Sequence, residues 1–268
     1  MKFYDCQNNI ERRKKNRRKK VVDGIITNDY DRRKEEEKDS PYNGTERRSS
    51  EDKRSGKDRR FSYDLPSTIN PLAKYIFFLH GKIAELNGAN GKHPCFGIYD
   101  YHGIVKAFES RGFKVISEVR PKGTKLYKYA EKIVRQIKTL LAYGIPPEQI
   151  TVVGFSKGSA ITLLVSTKLK NSRVNFVLMS GCSHKGTHVL RSYKKLIGQS
   201  VQSMKGRFLS IYDESDPKCD ICQRILKNPS NETTFNEIKV KNGLGHSLFY
   251  RPRRDWLEPI VEWIDQKH

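Results

Sequence analysis

The chain has 268 residues, a net charge of +22 and a hydrophobic content of only 36%. That length suits one domain of about 200 residues with a charged extension. The longest apolar stretch near a strand, Tyr75 to Leu79, is far too short to cross a bilayer. Met1 to Ile10 has no apolar run of the kind a secretory leader carries, and the five cysteines are an odd number, so the expectation is a cytoplasmic protein with reduced thiols.

The charge is unevenly spread. Residues 1–60 hold 20 Lys and Arg against 13 Asp and Glu, a net of +7, which leaves +15 on the remainder. Acid-Arg-Arg triplets recur at Glu11-Arg12-Arg13, Asp31-Arg32-Arg33, Glu46-Arg47-Arg48 and Asp58-Arg59-Arg60. Between them lie Ser, Gly, Asn and Lys, with too little apolar surface to offset the entropy of ordering. Residues 1–65 are therefore read as a low-complexity, disordered tail. Residues 66–268 are read as the folded domain. The patch Glu46 to Arg60 resembles short repeats seen ahead of regulatory domains in some bacterial proteins. A basic body and tail favour electrostatic contact with nucleic acid, an anionic surface or an acidic partner.

From Lys74 onward strands and helices alternate. Lys74 to Leu79 is a buried-strand run that ends at His80-Gly81. Tyr101 to Arg111 carries Ile104, Val105 and Phe108 at helical spacing and stops at Gly112. Phe113 to Ser117 is the next strand, and Leu126 to Tyr143 a long amphipathic helix ended by Gly144. Ile150 to Phe155 is a strand. Val174 to Met179, Arg207 to Tyr212 and Phe235 to Val240 are three more, and Trp256 to Asp265 closes the chain as a helix. Strands separated by helices imply crossover connections and a mostly parallel sheet with helices on both faces. Sites in such sheets gather at the carboxyl ends of the strands, where His80, Ser156 and the loops after Tyr212 and Val240 all fall.

Gly154-Phe155-Ser156-Lys157-Gly158, directly after Ile150 to Val153, places a serine on a sharp strand-to-helix turn that needs small residues on both sides. Asp213-Glu214-Ser215-Asp216-Pro217 follows a later strand, and Gly243-Leu244-Gly245-His246 follows the last. Ser156, Asp216 and His246 thus occur in an order that suits nucleophile, acid and base. Asp213 competes with Asp216 for the acid, and Asp220 does so less strongly. A serine hydroxyl attacks only when a neighbouring imidazole takes its proton, and a carboxylate orients that imidazole.

From about Tyr75 to the C-terminus this pattern resembles the α/β-hydrolase family, on His80-Gly81, the serine turn, the acid after the penultimate strand and the Gly-x-Gly-His after the last. The resemblance implies an α/β-hydrolase fold and backbone N–H groups of Lys82 and Lys157 as the oxyanion hole. It implies a serine hydrolase that cleaves a small or medium carboxylic ester or thioester through an acyl-enzyme, without a cofactor or metal. Amide hydrolysis uses the same residues. The alternative is a hydrolase-fold binding protein that docks on nucleic acid or an acidic partner through its basic surface. His80 is expected to brace the oxyanion loop.

The segment from Gly181 to Lys205, where this family often inserts a lid, is short and polar and argues against long acyl chains. Lys82 and Lys157 are expected to point into solvent. Turned inward, together with Arg120 and Lys122, they would favour a substrate bearing a negative charge. Cys219-Asp220-Ile221-Cys222, with Cys182, His184 and His188, has metal-ligand spacing but is read as ordinary thiols and imidazoles.

Overall fold

The computed structural model describes residues 65–66, 68–181, 204–216, 222 and 233–266. The chain divides into the units Met1–Tyr63 and Asp64–His268. The expected tail, residues 1–65, lies outside the described residues except for its last position, as does most of the segment from Gly181 to Lys205.

In chain order the second unit contains β1 (Tyr75–Leu79), α1 (Lys82–Asn87), β2 (Lys92–His93), β3 (Gly97–Ile98), α2 (Tyr101–Glu109), β4 (Lys114–Ile116) and α3 (Leu126–Ala142). It continues with β5 (Ile150–Phe155), α4 (Lys157–Leu169), β6 (Asn175–Met179), β7 (Gly206–Asp213), β8 (Thr233–Val240), a 3-10 turn (Gly245–Tyr250) and α5 (Arg254–Asp265). Six strands form one sheet in the order β4-β1-β5-β6-β7-β8, and all of its neighbours are parallel. β2 and β3 pair separately as a small antiparallel hairpin.

The strands read as unbroken apolar runs because both faces are covered. Within each, the side chains alternate. Tyr75, Phe77, Leu79, Val152, Phe176, Leu178 and Phe208 pack on one side with α3 and α4. Ile76, Phe78, Val153, Phe155, Val177, Met179, Leu209 and Ile211 pack on the other with α2 and α5. Each aliphatic or aromatic side chain so buried contributes roughly 1.5–3 kcal/mol of transfer free energy. α4 is buried on every side, from Gly158 to Thr167, which explains why its sequence shows no polar stripe. α2 starts where the Asp100 carboxylate accepts the Gly103 N–H at 2.9 Å. Gly112 and Gly144 follow α2 and α3 with φ of 85° and 83°, the left-handed conformation that lets the chain leave a helix sharply.

The expected strands and long helices are all present, with ends shifted by one or two residues. Among the described residues, short elements went unread in the sequence. α1 is a six-residue helix directly after the His80-Gly81 turn, and the β2–β3 hairpin lies between it and α2. Both are too short to carry a periodicity, and both stand at the sheet's functional edge.

Candidate active site

Ser156 sits between β5 and α4 with φ of 53° and ψ of −110°. A non-glycine residue held there stores on the order of 1–3 kcal/mol of strain, so its surroundings must enforce the geometry. The Ser156 N–H donates to the Met179 carbonyl at 2.9 Å, the Ser159 N–H to the Ser156 carbonyl at 3.1 Å, and the Ser159 hydroxyl to the Gly154 carbonyl at 2.5 Å. The flanking glycines are required by contact. A Cβ on Gly158 would lie 1.8 Å from the Leu79 carbonyl oxygen, and one on Gly154 2.5 Å from the Gly158 carbonyl carbon.

The three residues singled out in the sequence meet here. His246 Nε2 lies 3.1 Å from Ser156 Oγ, and its Nδ1 lies 2.8 Å from Asp216 Oδ2. Asp216 is buried at 4% exposure, so its carboxylate faces the imidazole away from bulk water. With the proton assigned to Nδ1, Nε2 is free to accept the serine hydroxyl. Gly245 supports this placement, with φ of 55° immediately before the histidine.

The competing acid has other work. Asp213 is fully buried. Its Oδ1 accepts the Ser215 N–H at 2.8 Å and the Ser215 hydroxyl, and its Oδ2 accepts the Asn242 N–H at 3.3 Å. It ties the turn that carries Asp216 to the loop that leads to His246. The weaker candidate Asp220 lies outside the described residues.

Lys82 and Lys157 are the first residues of α1 and α4, and a first-turn N–H has no carbonyl four residues back to accept it. The α1 loop passes directly over Ser156: a Cβ on Gly81 would stand 3.5 Å from Ser156 Cβ and 2.9 Å from the Phe155 ring. Behind this loop His80 is fully buried. Its Nε2 accepts the Arg120 N–H at 2.8 Å, which leaves the ring proton on Nδ1 to donate to the Gly81 carbonyl at 2.7 Å. That carbonyl belongs to the peptide whose N–H is Lys82's. A trans peptide holds the two antiparallel, so His80 fixes the direction of that N–H.

Burial, followed by the Arg120 charge, lowers the His80 pKa from 6.5 to about 3. The ring therefore stays neutral. As the pH falls below 6.5 the unfolded chain binds a proton here that the folded chain refuses, so stability present at neutral pH is lost on acidification toward pH 3. The loss approaches roughly 1.4 kcal/mol per pH unit for one proton. Urea midpoints between pH 7 and pH 4 should fall more steeply for the wild type than for His80→Gln. Parallel curves would show that the ring is not held neutral.

Two expectations about cations need correcting. The Lys157 side chain points neither to solvent nor at the nucleophile: its Nζ lies 2.6 Å from both Glu85 oxygens and donates to the Thr124 carbonyl at 3.0 Å. Arg120 is 1% exposed, so it contributes nothing to a surface patch. Lys82 is exposed as expected, and Lys122 is exposed as well. Short-range charge drew Lys157 inward, because Glu85 on α1 is buried and needs a counter-charge.

The thiol expectation also changes. Cys95 and Cys222 are each disulfide-bonded, since an odd cysteine count excludes only complete pairing. Cys222 then has no thiolate to offer a metal. Cys182, His184, His188, Cys219 and Asp220 lie outside the described residues, and no cluster of three ligating side chains occurs among the described ones.

Aromatic rings pack around His246. The Phe155 ring lies 5.0 Å from that of His246, and Phe96, on the β2–β3 hairpin, lies 5.8 Å from it and 5.5 Å from Tyr250. Phe96, Glu85 and Tyr250 were not singled out in the sequence. Only the aromatic in the glycine-rich stretch from Gly88 to Gly97 offered a signal.

No protein-family profile matches the chain. Acyl-protein thioesterase 1 of Saccharomyces cerevisiae is 31% identical over 137 residues, which cover 49% of this chain and 56% of the relative. The chain thus spans little more than half the length of the curated relative it matches. Esterase B from Lactobacillus rhamnosis, solved with a tributyrin phosphonate, superposes with a TM-score of 0.52 at 14% identity over 73% of this chain and 76% of that one. A second structure of esterase B superposes with a TM-score of 0.50 at 15% identity, over 73% and 75%. With its six-stranded parallel sheet and helices on both faces, the chain has the α/β-hydrolase fold. No helix among the described residues is long and apolar enough to cross a membrane.

Proposed function

We propose that this protein is a serine hydrolase that cleaves a carboxylic ester or thioester with a small or medium acyl group, through an acyl-enzyme. The observation that carries this reading is the chain of contacts from Ser156 Oγ to His246 Nε2 at 3.1 Å and from His246 Nδ1 to Asp216 Oδ2 at 2.8 Å, at a serine held with φ of 53°. The thioesterase relative and the esterase fold neighbours agree with it.

His246 Nε2 takes the Ser156 proton as Oγ attacks the acyl carbon. Negative charge gathers on the former carbonyl oxygen, which the N–H groups of Lys82 and Lys157 receive at the positive ends of α1 and α4. The imidazolium, stabilised by Asp216, returns the proton to the departing alcohol or thiol. Water then repeats the sequence on the acyl-enzyme and frees the acid. Phe96, half-buried beside the His246 ring and packed on Tyr250, offers the acyl chain an apolar contact. With Lys157 Nζ bound to Glu85 and Arg120 buried, the charge that would have favoured an anionic substrate is largely consumed within the protein.

A fluorescent fluorophosphonate, followed by proteolysis and mass spectrometry, tests the reading. A single adduct on the peptide that contains Ser156 is the expected result. A folded protein that takes no label would overturn it and turn attention to salt-sensitive binding of nucleic acid or an acidic partner by the basic surface. An acyl series of esters and thioesters, from about C2 to C8, then sets chain length and leaving group.

A further inference from the structure

We propose that Glu85 is a positioning residue of the oxyanion hole, a buried carboxylate that locks together the two helix starts whose N–H groups receive the developing charge. The inference rests on the serine-hydrolase reading above. Glu85 stands on α1 three residues after Lys82, with its side chain 2% exposed. Both of its oxygens lie 2.6 Å from Nζ of Lys157, the residue that opens α4. One salt bridge therefore spans from the helix that begins with one proposed donor to the residue that supplies the other.

The same carboxylate reaches the loop after β4. Its Oε1 accepts the Gly123 N–H at 3.2 Å, and its Oε2 lies 3.7 Å from Arg120 Nε. Arg120 in turn donates from its main chain to His80 Nε2 and from Nη2 to the His80 carbonyl. His80 Nδ1 holds the Gly81 carbonyl and so orients the Lys82 N–H. Glu85 thus governs both donors, one through Lys157 and the other through Arg120 and His80.

Stability alone gives a poor account of this arrangement, because a buried ion pair often does no more than offset its own desolvation. The charge count is also uneven. Lys157 and Arg120 are cations, Glu85 is one anion and His80 is neutral, so one positive charge remains uncompensated behind the hole. Arg120 Nε and Nη1 make no hydrogen bond among the described residues, which leaves that charge facing Glu85 and the Tyr129 ring, 5.3 Å from its centroid. Glu85 thus holds two cations at once, and without it neither keeps this anchor.

The test uses the full chain and four proteins: wild type, Glu85→Gln, Glu85→Asp and the double variant Glu85→Gln/Lys157→Met. Kinetics on one chromogenic ester are read beside thermal midpoints and the affinity for an alkyl boronic acid, which forms a tetrahedral anion on the serine. Glu85→Gln should lower kcat by about 100-fold with KM within about threefold, and weaken boronate binding by a similar factor to kcat/KM. The double variant removes one cation with the anion, so it should recover thermal stability without recovering kcat. If Glu85→Gln does not fold, Glu85→Asp keeps the charge on a stem one methylene shorter and should show the same loss in kcat at a near wild-type midpoint. Wild-type kcat in any folded Glu85 variant, or its return in the double variant, overturns the inference while serine labelling leaves the hydrolase reading standing. A wild type that takes no fluorophosphonate overturns that reading and this inference with it.

Discussion

Ser156→Ala should lower kcat/KM for ester and thioester substrates by about 10⁶-fold, toward the level that binding and the oxyanion hole sustain without a nucleophile. The loss should be confined to chemistry. Among the described residues Ser156 Oγ hydrogen-bonds His246 Nε2 at 3.1 Å, and alanine keeps the Cβ that fills the turn. Both residues bear the same steric cost at φ of 53°, so the strain is unchanged and the thermal midpoint should stay within a few degrees of wild type. Steady-state rates with a chromogenic butyrate ester, measured beside the melting curve, decide the matter. A well-folded variant that retains a tenth of the wild-type rate would place the nucleophile elsewhere in the chain.

The framework was readable because its signals are long and mutually consistent. β1, β5, β6 and β7 are buried on both faces, and a covered parallel sheet accommodates such strands. The serine turn was readable because contact dictates its glycines: with Gly158 against the Leu79 carbonyl and Gly154 against Gly158, no other residue type fits. Their spacing in the sequence records a packing constraint rather than a preference.

What escaped the sequence is short or cooperative. The β2–β3 hairpin has two residues per strand, yet it brings Phe96 to the His246 ring. Glu85 looks in the sequence like any surface acid. Its burial follows from the meeting of α1, the loop after β4 and the start of α4, three segments whose contact no local pattern encodes. Lys157 was misjudged for the same reason: its partner lies 72 positions away in the chain. A single charged residue carries no directional information until its counter-charge is located.

Asp216→Asn should lower kcat by about 10⁴-fold, and Asp213→Asn by less than about tenfold, although both acids stand on the same turn. At position 216 an amide nitrogen facing His246 Nδ1 would donate to it, driving the ring proton to Nε2 and blocking acceptance of the serine proton. The imidazolium would also lose its counter-charge. Asp213 touches neither the imidazole nor the serine. Its oxygens accept from the Ser215 N–H, the Ser215 hydroxyl and the Asn242 N–H, and an amide oxygen can keep some of these bonds. The expected cost there is stability, about 1–3 kcal/mol for a buried acceptor left under-satisfied, read as a lower urea midpoint. The two variants therefore separate along different axes, one in rate at constant stability and the other in stability at nearly constant rate. Should the large kinetic loss fall on Asp213→Asn instead, the roles of the two acids would have to be exchanged, and His246 would have to leave Asp216 for a position now held by the Asn242 loop.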